Sequence, residues 1–332
     1  MGTKESLLAL FEAKKGVYFS GEELAEQLSV SRTAVWKAVN ALRGEGYEID
    51  AVQNRGYCLS PSTDILSAQG IQKYLGARCG QIALTVLPTA GSTNALVRDL
   101  AGQGAPEGTA VLANQQTSGK GRVGRSFFSP ADTGLYLSLL LRPSGWSPQQ
   151  AARLTTMAAV AVCEAIESVA GRPAGIKWVN DIFMDGKKVC GILTEASFGL
   201  EDGLLEYAVL GVGINVYPPK GGFPQELSST AGAVLPGPVS DGKNRLAGAF
   251  LNRLMDYYTG DMDRYTDQYR QRSLVAGRDV LILSPKGQVR ARALDVDREC
   301  RLVVRYEDGR EDRLSSGEIS VRFSAPEPPT DR

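Results

Sequence analysis

Gln116-Thr117-Ser118-Gly119-Lys120-Gly121-Arg122-Val123-Gly124-Arg125 lies between two strand-like runs, at 109–115 and 135–141. Its last seven residues hold three cations and three glycines. Glycines let a loop take positive φ and bring backbone N–H groups close to a ligand, while lysine and arginine supply the charge that a phosphate-bearing ligand needs. The stretch therefore reads as a clamp for an anion. Taken alone it reads equally well as a mobile, solvated loop or a nucleic-acid patch, and its spacing is not that of a Walker P-loop. A second segment, Lys177-Trp178-Val179-Asn180-Asp181-Ile182, favours the clamp.

Around these two segments the chain alternates strand-like and helical patterns. Strands are expected at 82–87, 109–115, 135–141, 175–178, 189–195 and 207–216, with long helices at 149–170 and 243–258. That is a mixed α/β sheet domain, bounded at about 65–272. Beyond it, short alternating runs at 279–283, 289–294, 300–306 and 310–314 are parted by turn residues, which indicates a small β-barrel at 273–323. The Pro-rich end at 324–332 has the composition of a disordered tail.

The region 1–62 has a different texture. Ser20-Gly21-Glu22-Glu23 is a capping box that opens a short helix carrying Leu24 and Leu28 inward. Ser31 caps a second helix with Val35, Val39 and Leu42 on one face and Arg32, Thr33, Trp36, Lys37 and Asn40 on the other. Two strand-like runs then flank Gln53-Asn54-Arg55-Gly56, a turn suited to the tip of a wing. This is a winged helix-turn-helix pattern. Its seven cations are offset by eight acids, but 31–43 holds three cations and no acid, and Arg55 falls on the expected wing tip. Ser31, Arg32, Thr33, Trp36, Lys37, Asn40 and Arg55 are the candidate DNA contacts, with a protein-binding helical module as the other reading.

Composition removes several chemistries. The 332 residues, 43% apolar and 22% charged, suit a chain of two or three domains with a substantial core. Histidine is absent, which excludes Ser-His-Asp and Cys-His nucleophile systems and every histidine metal site. The five cysteines lack paired spacing and suit reduced, buried thiols. No run approaches a membrane span or a cleaved leader, so a cytoplasmic protein is expected.

Together the two segments resemble the biotin-protein ligase family, whose Gly-Arg-Gly-Arg-x-Gly-Arg loop and Lys-Trp-Pro-Asn-Asp motif fall at 119–125 and 177–181. Gly91-Ser92-Thr93-Asn94 and Gly211-Val212-Gly213-Ile214-Asn215-Val216 extend the likeness, which runs from about residue 4 to about residue 323. Lys120 stands where the family usually has Arg, keeping charge but losing the planar fork. Val179 stands where it usually has Pro. The resemblance implies a central ligase catalytic domain, an SH3-like C-terminal barrel, and the substrates biotin and ATP with Mg²⁺. It also implies transfer of biotin to a lysine on the biotin carrier domain of a carboxylase. Members with the N-terminal domain are operator-binding repressors, so operator DNA and an adenylate-bound homodimer are the further partners expected.

Activating a carboxylate with ATP brings two anions within bonding distance, so fixed cations are obligatory. By resemblance Lys177 is the essential lysine, bridging the carboxylate and an α-phosphate oxygen. Arg122 closes over the mixed anhydride, with Gly119, Lys120, Gly121 and Arg125 assisting. Ser92, Thr93, Asn94 and Gln116 line the biotin end, Gly191 allows close backbone approach, and Asn215 joins the binding set. Local readings stand beside these. Asn180 and Asp181 suit a turn, Ser92 to Asn94 suit a helix cap, and Phe127 suits either the core or an adenine stack. Asn215 suits a structural place in a glycine-flanked strand, and Lys177 also suits a surface position beside a buried Trp178. If functional, Asp181 either holds Mg²⁺ or positions the incoming amine. Two other functions fit less of the chain: a ligand-sensing transcription factor without ligase activity, and a lipoate-protein ligase.

Overall fold

The computed structural model describes residues 2–261, 263–284, 287–315 and the strand at 320–323. The N-terminal unit comprises α1 (Thr3–Ala13), α2 (Gly21–Gln27), α3 (Arg32–Gly44), β1 (Ile49–Val52) and β2 (Gly56–Leu59). Both halves of the Ser20 capping box form: Glu23 N–H donates to the Ser20 hydroxyl at 3.1 Å and Ser20 N–H to the Glu23 carboxylate at 2.7 Å. Val35, Val39 and Leu42 are buried against Leu7, Phe11 and Leu24, so the helical spacing of α3 becomes one core face. β1 and β2 pair antiparallel about Asn54, which takes a left-handed φ of 64° in the turn. α1, whose Leu7, Leu8 and Phe11 fill that core, was not among the elements read from the sequence.

After α4 (Ala68–Gln72) come β3 (Ala83–Leu87), α5 (Thr93–Gly102), β4 (Thr109–Ala113), β5 (Gly134–Leu141), α6 (Pro148–Ala170), β6 (Gly175–Lys177), β7 (Asp181–Met184), β8 (Lys187–Phe198), β9 (Leu205–Asn215), α7 (Gly242–Tyr258) and α8 (Arg264–Gln271). Among the described residues the strands form a seven-stranded sheet of order β3-β4-β5-β9-β8-β7-β6, parallel only between β3 and β4. α5 covers one face through Val97 and Ala101, while α6 and α7 build the larger core on the other. α6 begins at a Ser147–Gln150 capping box with Pro148 in its first turn and ends at Gly171 in left-handed conformation. β7 is the strand of this sheet that the sequence reading lacked. Its signal was Asp185-Gly186, both at positive φ (48° and 75°), the turn chemistry that joins β7 to β8.

The remaining strands, β10 (Asp279–Ser284), β11 (Gly287–Val296), β12 (Leu302–Tyr306), β13 (Glu311–Leu314) and β14 (Ser320–Phe323), form an antiparallel sheet of order β13-β12-β11-β10-β14. Val280, Ala293, Leu302 and Val304 are buried in one continuous cluster with Ile176, Trp178 and Tyr269 of the central unit. The expected disordered tail lies outside the described residues.

The segment 60–64, which joins the N-terminal and central units, is held along its length. The Ser240 hydroxyl donates to the Pro61 carbonyl, Lys15 Nζ to the Thr63 carbonyl at 2.9 Å, and Tyr217 to the Asp64 carboxylate at 2.6 Å. Beside it lies a charge cluster between α1 and the central unit. Asp241 is paired with Lys15 at 2.6 Å and with Lys73, and accepts from Tyr74 at 2.8 Å and Asn244 at 3.1 Å. Glu12, its side chain 1% exposed, takes the same two ammonium groups at 3.3 and 2.7 Å. Burial pushes the Asp241 carboxyl up, but the donors around it prevail and bring it down to about 2. A depressed carboxylate stabilises the fold above its unfolded value and loses that contribution as pH falls through the folded one. Asp241→Asn is therefore expected to cost about 2 kcal/mol at neutral pH, the scale of hydrogen bonds to charged groups. Urea titrations from about pH 4.5 to about pH 2.5 should show the wild-type stability falling towards that of the variant. Parallel pH profiles would show that the cluster is not the source.

Candidate active site

Strand register builds the site. Residues opposite one another on paired strands share a face, so Ser138, Gly211 and Leu193 form one row across β5, β9 and β8, and Tyr136, Gly213 and Gly191 the next. Three of these six positions have no side chain, which opens a hollow beneath the start of α5. A Cβ at Gly211 would meet Asn94 Cγ at 2.8 Å, and one at Gly213 would meet the Phe127 ring at 2.6 Å. The glycine spacing of 211–216 thus records close approach of other groups to the sheet. The resulting cavity measures about 50 Å³. Phe127 lines it, its ring edge-on to Tyr136 at 6.4 Å, and belongs to the wall instead of the core.

One end is polar and uncharged. Ser92 caps α5 by accepting from Ala95 N–H at 3.4 Å, so the capping reading holds, and Ser92, Thr93 and Asn94 also line the cavity. Gln116 Oε1 accepts from Thr93 N–H at 2.9 Å, and Gln116 Nε2 donates to the Ser129 hydroxyl at 3.0 Å. The Ser138 hydroxyl donates to Asn94 Oδ1 at 2.6 Å, and Asn94 Nδ2 donates to Glu195 at 2.8 Å. A buried network satisfied in this way fixes its members' rotamers. Ser138 was not found in the sequence, where it reads as one polar residue in an apolar strand.

The other end is cationic: Lys120, Arg122 and Lys188 line it with Gly121, Asn180 and Gly191. Gly119 is buried behind them, where a Cβ would meet the Phe127 carbonyl at 2.5 Å. Arg122 donates to Asn180 Oδ1 at 3.3 Å, and burial holds its guanidinium below the usual range while Asp181 opposes the shift. Asn180 is itself fastened to β8, donating to the Ile192 carbonyl at 2.7 Å. Lys188 Nζ pairs with Asp181 at 2.6 Å.

Lys177 continues the second of the two rows across the sheet: on β6 it stands opposite Asp181, which stands opposite Gly191, so it shares the cavity's face of the sheet. It lies beyond the lining residues, with its ammonium 5.8 Å from the Phe183 ring centroid. A lysine that the sequence reading did not single out, Lys188, lines the cavity as well, brought back beside Asp181 by the β7–β8 hairpin. Asp181 opens β7 and is no turn cap. Arg125 is exposed and outside the lining. Asn215 donates to the Gly232 carbonyl at 3.1 Å, away from the cavity, a structural contact. Among the described residues no cluster of three acids, cysteines or histidines offers a metal site, and no helix is long and apolar enough to cross a membrane.

On the N-terminal unit, Arg32, Thr33 and Trp36 line a groove with Gln53 and Asn54 of the wing turn, and Trp36 is 55% exposed. Ser31 caps α3 through Ala34 N–H at 3.2 Å; Lys37 is exposed and Asn40 half-buried on the same helix. Two cations are otherwise engaged. Arg43 donates to the Ile49 carbonyl at 2.9 and 2.6 Å, and Arg55 lies over the Tyr18 ring at 4.1 Å.

Residues 86–215 match the biotin/lipoate A/B protein ligase family, 3–58 an HTH domain, and 275–322 the biotin protein ligase C-terminal domain. The chain is 34% identical to the bifunctional ligase/repressor BirA of Bacillus spizizenii over 313 residues, covering 92% of this chain and 95% of that protein. The corresponding protein of Bacillus subtilis gives the same identity and coverage. The biotin protein ligase from Aquifex aeolicus, solved in complex with biotin and ATP, superposes with a TM-score of 0.60 at 26% identity, over 73% of this chain and 99% of that one. With all three domain families matched in order along the chain and a relative 34% identical over 92% of it, the chain belongs to the bifunctional ligase/repressor family of biotin protein ligases.

Proposed function

We propose that this chain activates biotin with ATP, retains the biotinyl-adenylate, and transfers biotin to a lysine of a carboxylase carrier domain. With the adenylate bound, it also represses transcription at an operator. The observation that carries the reading is the polarity of the cavity: neutral hydrogen-bonding groups at Thr93, Asn94 and Gln116, and cations at Lys120, Arg122 and Lys188. A neutral ureido head with a carboxylate tail matches that gradient. A carboxylate oxygen attacks the α-phosphorus and the bond to the β-phosphate breaks, releasing pyrophosphate. Lys177, Lys188 and Arg122 offset the repulsion between the two anions. The carrier amine then attacks the acyl carbon, AMP leaves with the bonding pair, and Asp181 positions the amine and receives its proton. Loop closure over the mixed anhydride keeps water out. Mg²⁺ arrives with the ATP phosphates, the usual mode for that ion; the one carboxylate at this end, Asp181, is engaged by Lys188, and no step is assigned to a metal held by the protein.

For repression, α3 enters the major groove through Ser31, Arg32, Thr33, Trp36, Lys37 and Asn40, with the wing and Arg55 beside it. A half-site read by one such helix is short, so two copies at fixed spacing are required. The homodimer forms when the loop 119–125 orders around the adenylate, and the coupling is reciprocal. Biotin-dependent exchange of pyrophosphate into ATP is the first test, with lipoate as competitor. Exchange driven by lipoate alone would reassign the substrate, and biotin binding without exchange would leave a ligand-sensing transcription factor. A mobility shift on DNA upstream of a biotin-synthesis operon, with sedimentation, tests the second half. Assembly and DNA affinity unchanged by biotin and ATP would remove the repressor role.

A further inference from the structure

Arg122 meets Asn180 at the cavity, and the turn that carries Asn180 is fastened from outside the site. Trp178, Val179 and Asn180 link β6 to β7. On the cavity side Asn180 bonds to Ile192 through its carbonyl, which accepts at 3.0 Å, and through its amide, which donates at 2.7 Å. On the far side two bonds come from residues that do not line the cavity. The Tyr269 hydroxyl of α8 donates to the Val179 carbonyl at 3.0 Å, and the Trp178 indole N–H donates to the Cys300 carbonyl at 3.0 Å. Tyr269 is fully buried, and Trp178, Val179 and Cys300 are nearly so. Cys300 is held at a φ of 59° in a turn that Asp297 organises, accepting from Arg301 N–H at 2.8 Å and from the Arg301 side chain at 2.8 Å. α8 is in turn joined to β6, since Ile176 N–H donates to the Arg272 carbonyl at 2.8 Å and Leu274 N–H to the Ile176 carbonyl at 2.9 Å.

We propose that Tyr269 is a positioning residue for Arg122: with the Cys300 carbonyl it fixes the 178–180 turn where Asn180 Oδ1 meets the guanidinium, so the C-terminal sheet sets the loop's closed position without touching substrate. This rests on the ligase reading above and concerns retention of the adenylate. Losing the Tyr269 hydroxyl would leave the Val179 carbonyl buried without that donor, and the turn would shift to find another. Asn180 would move with it, since a position in so tight a hairpin is shared by its neighbours. A role confined to filling the core would leave the loop untouched, because phenylalanine fills nearly the same volume.

The test is the rate of adenylate release from protein preloaded with biotin and ATP, in the full chain. Tyr269→Phe should release the adenylate about tenfold faster, the scale of one net hydrogen bond, with biotin affinity unchanged. Trp178→Phe, which removes the other donor, should act in the same direction. In an Arg122→Gly background, Tyr269→Phe should add nothing, because the two act through one contact. Additive effects, or release at the wild-type rate in a folded Tyr269→Phe protein, would overturn the assignment. Absence of adenylate in the wild-type chain would instead refute the ligase reading itself, so the two failures are distinct.

Discussion

Lys188→Ala and Lys177→Ala should each lower adenylate formation by about 10²- to 10³-fold, the usual effect of removing one preorganised electrostatic contact. Lys188 lines the cavity and is held by Asp181 at 2.6 Å, so its charge is fixed before substrate arrives. Its interaction grows as the carboxylate and α-phosphate converge, and an interaction stronger in the transition state than in the ground state acts on rate more than on binding. Biotin affinity should accordingly fall little in Lys188→Ala. The measurement is pyrophosphate exchange at saturating biotin for both variants. Exchange at the wild-type rate in either variant would remove that lysine from the cation set.

The second large effect is on retention. Arg122→Gly should still make the adenylate but release it about 10²-fold faster, the scale on which truncating one buried charged partner alters dissociation. Freed adenylate acylates any exposed amine. Mixing the variant with biotin, ATP and an unrelated lysine-rich protein should therefore biotinylate that protein, which the wild-type chain leaves nearly unmodified. Unchanged selectivity would show that the closure depends on another residue of the loop.

Lys188 escaped the sequence reading for a specific physical reason: in a sheet, proximity follows strand order, and only the fold sets β8 between β9 and β7 at the cavity. The hairpin that returns Lys188 to Asp181 was announced by Asp185-Gly186 between apolar runs, a legible turn signal. With β7 recognised, Lys188 would have been found. Ser138 left no such signal, because its importance lies in facing Thr93 and Asn94, contacts 45 and 44 residues away in the chain. Arg43 and Arg55 show the same limit on the N-terminal unit: formal charge was read, but its engagement by the Ile49 carbonyl and the Tyr18 ring was not.

By itself the sequence determined what local chemistry determines. The Ser20 and Ser147 capping boxes start helices because side chain and backbone donors meet within one turn. The α3 face of Val35, Val39 and Leu42 follows from helical periodicity, and the glycine-rich loop and the glycines of β9 announce close backbone approach. Only the tertiary structure decided that Lys188 lines the cavity beside Asp181, how α1 is locked to Asp241, and that the C-terminal sheet reaches the 178–180 turn through Tyr269 and Cys300. These relations join residues far apart in the chain, and their energies depend on burial and exact orientation, quantities that exist only once the chain has folded.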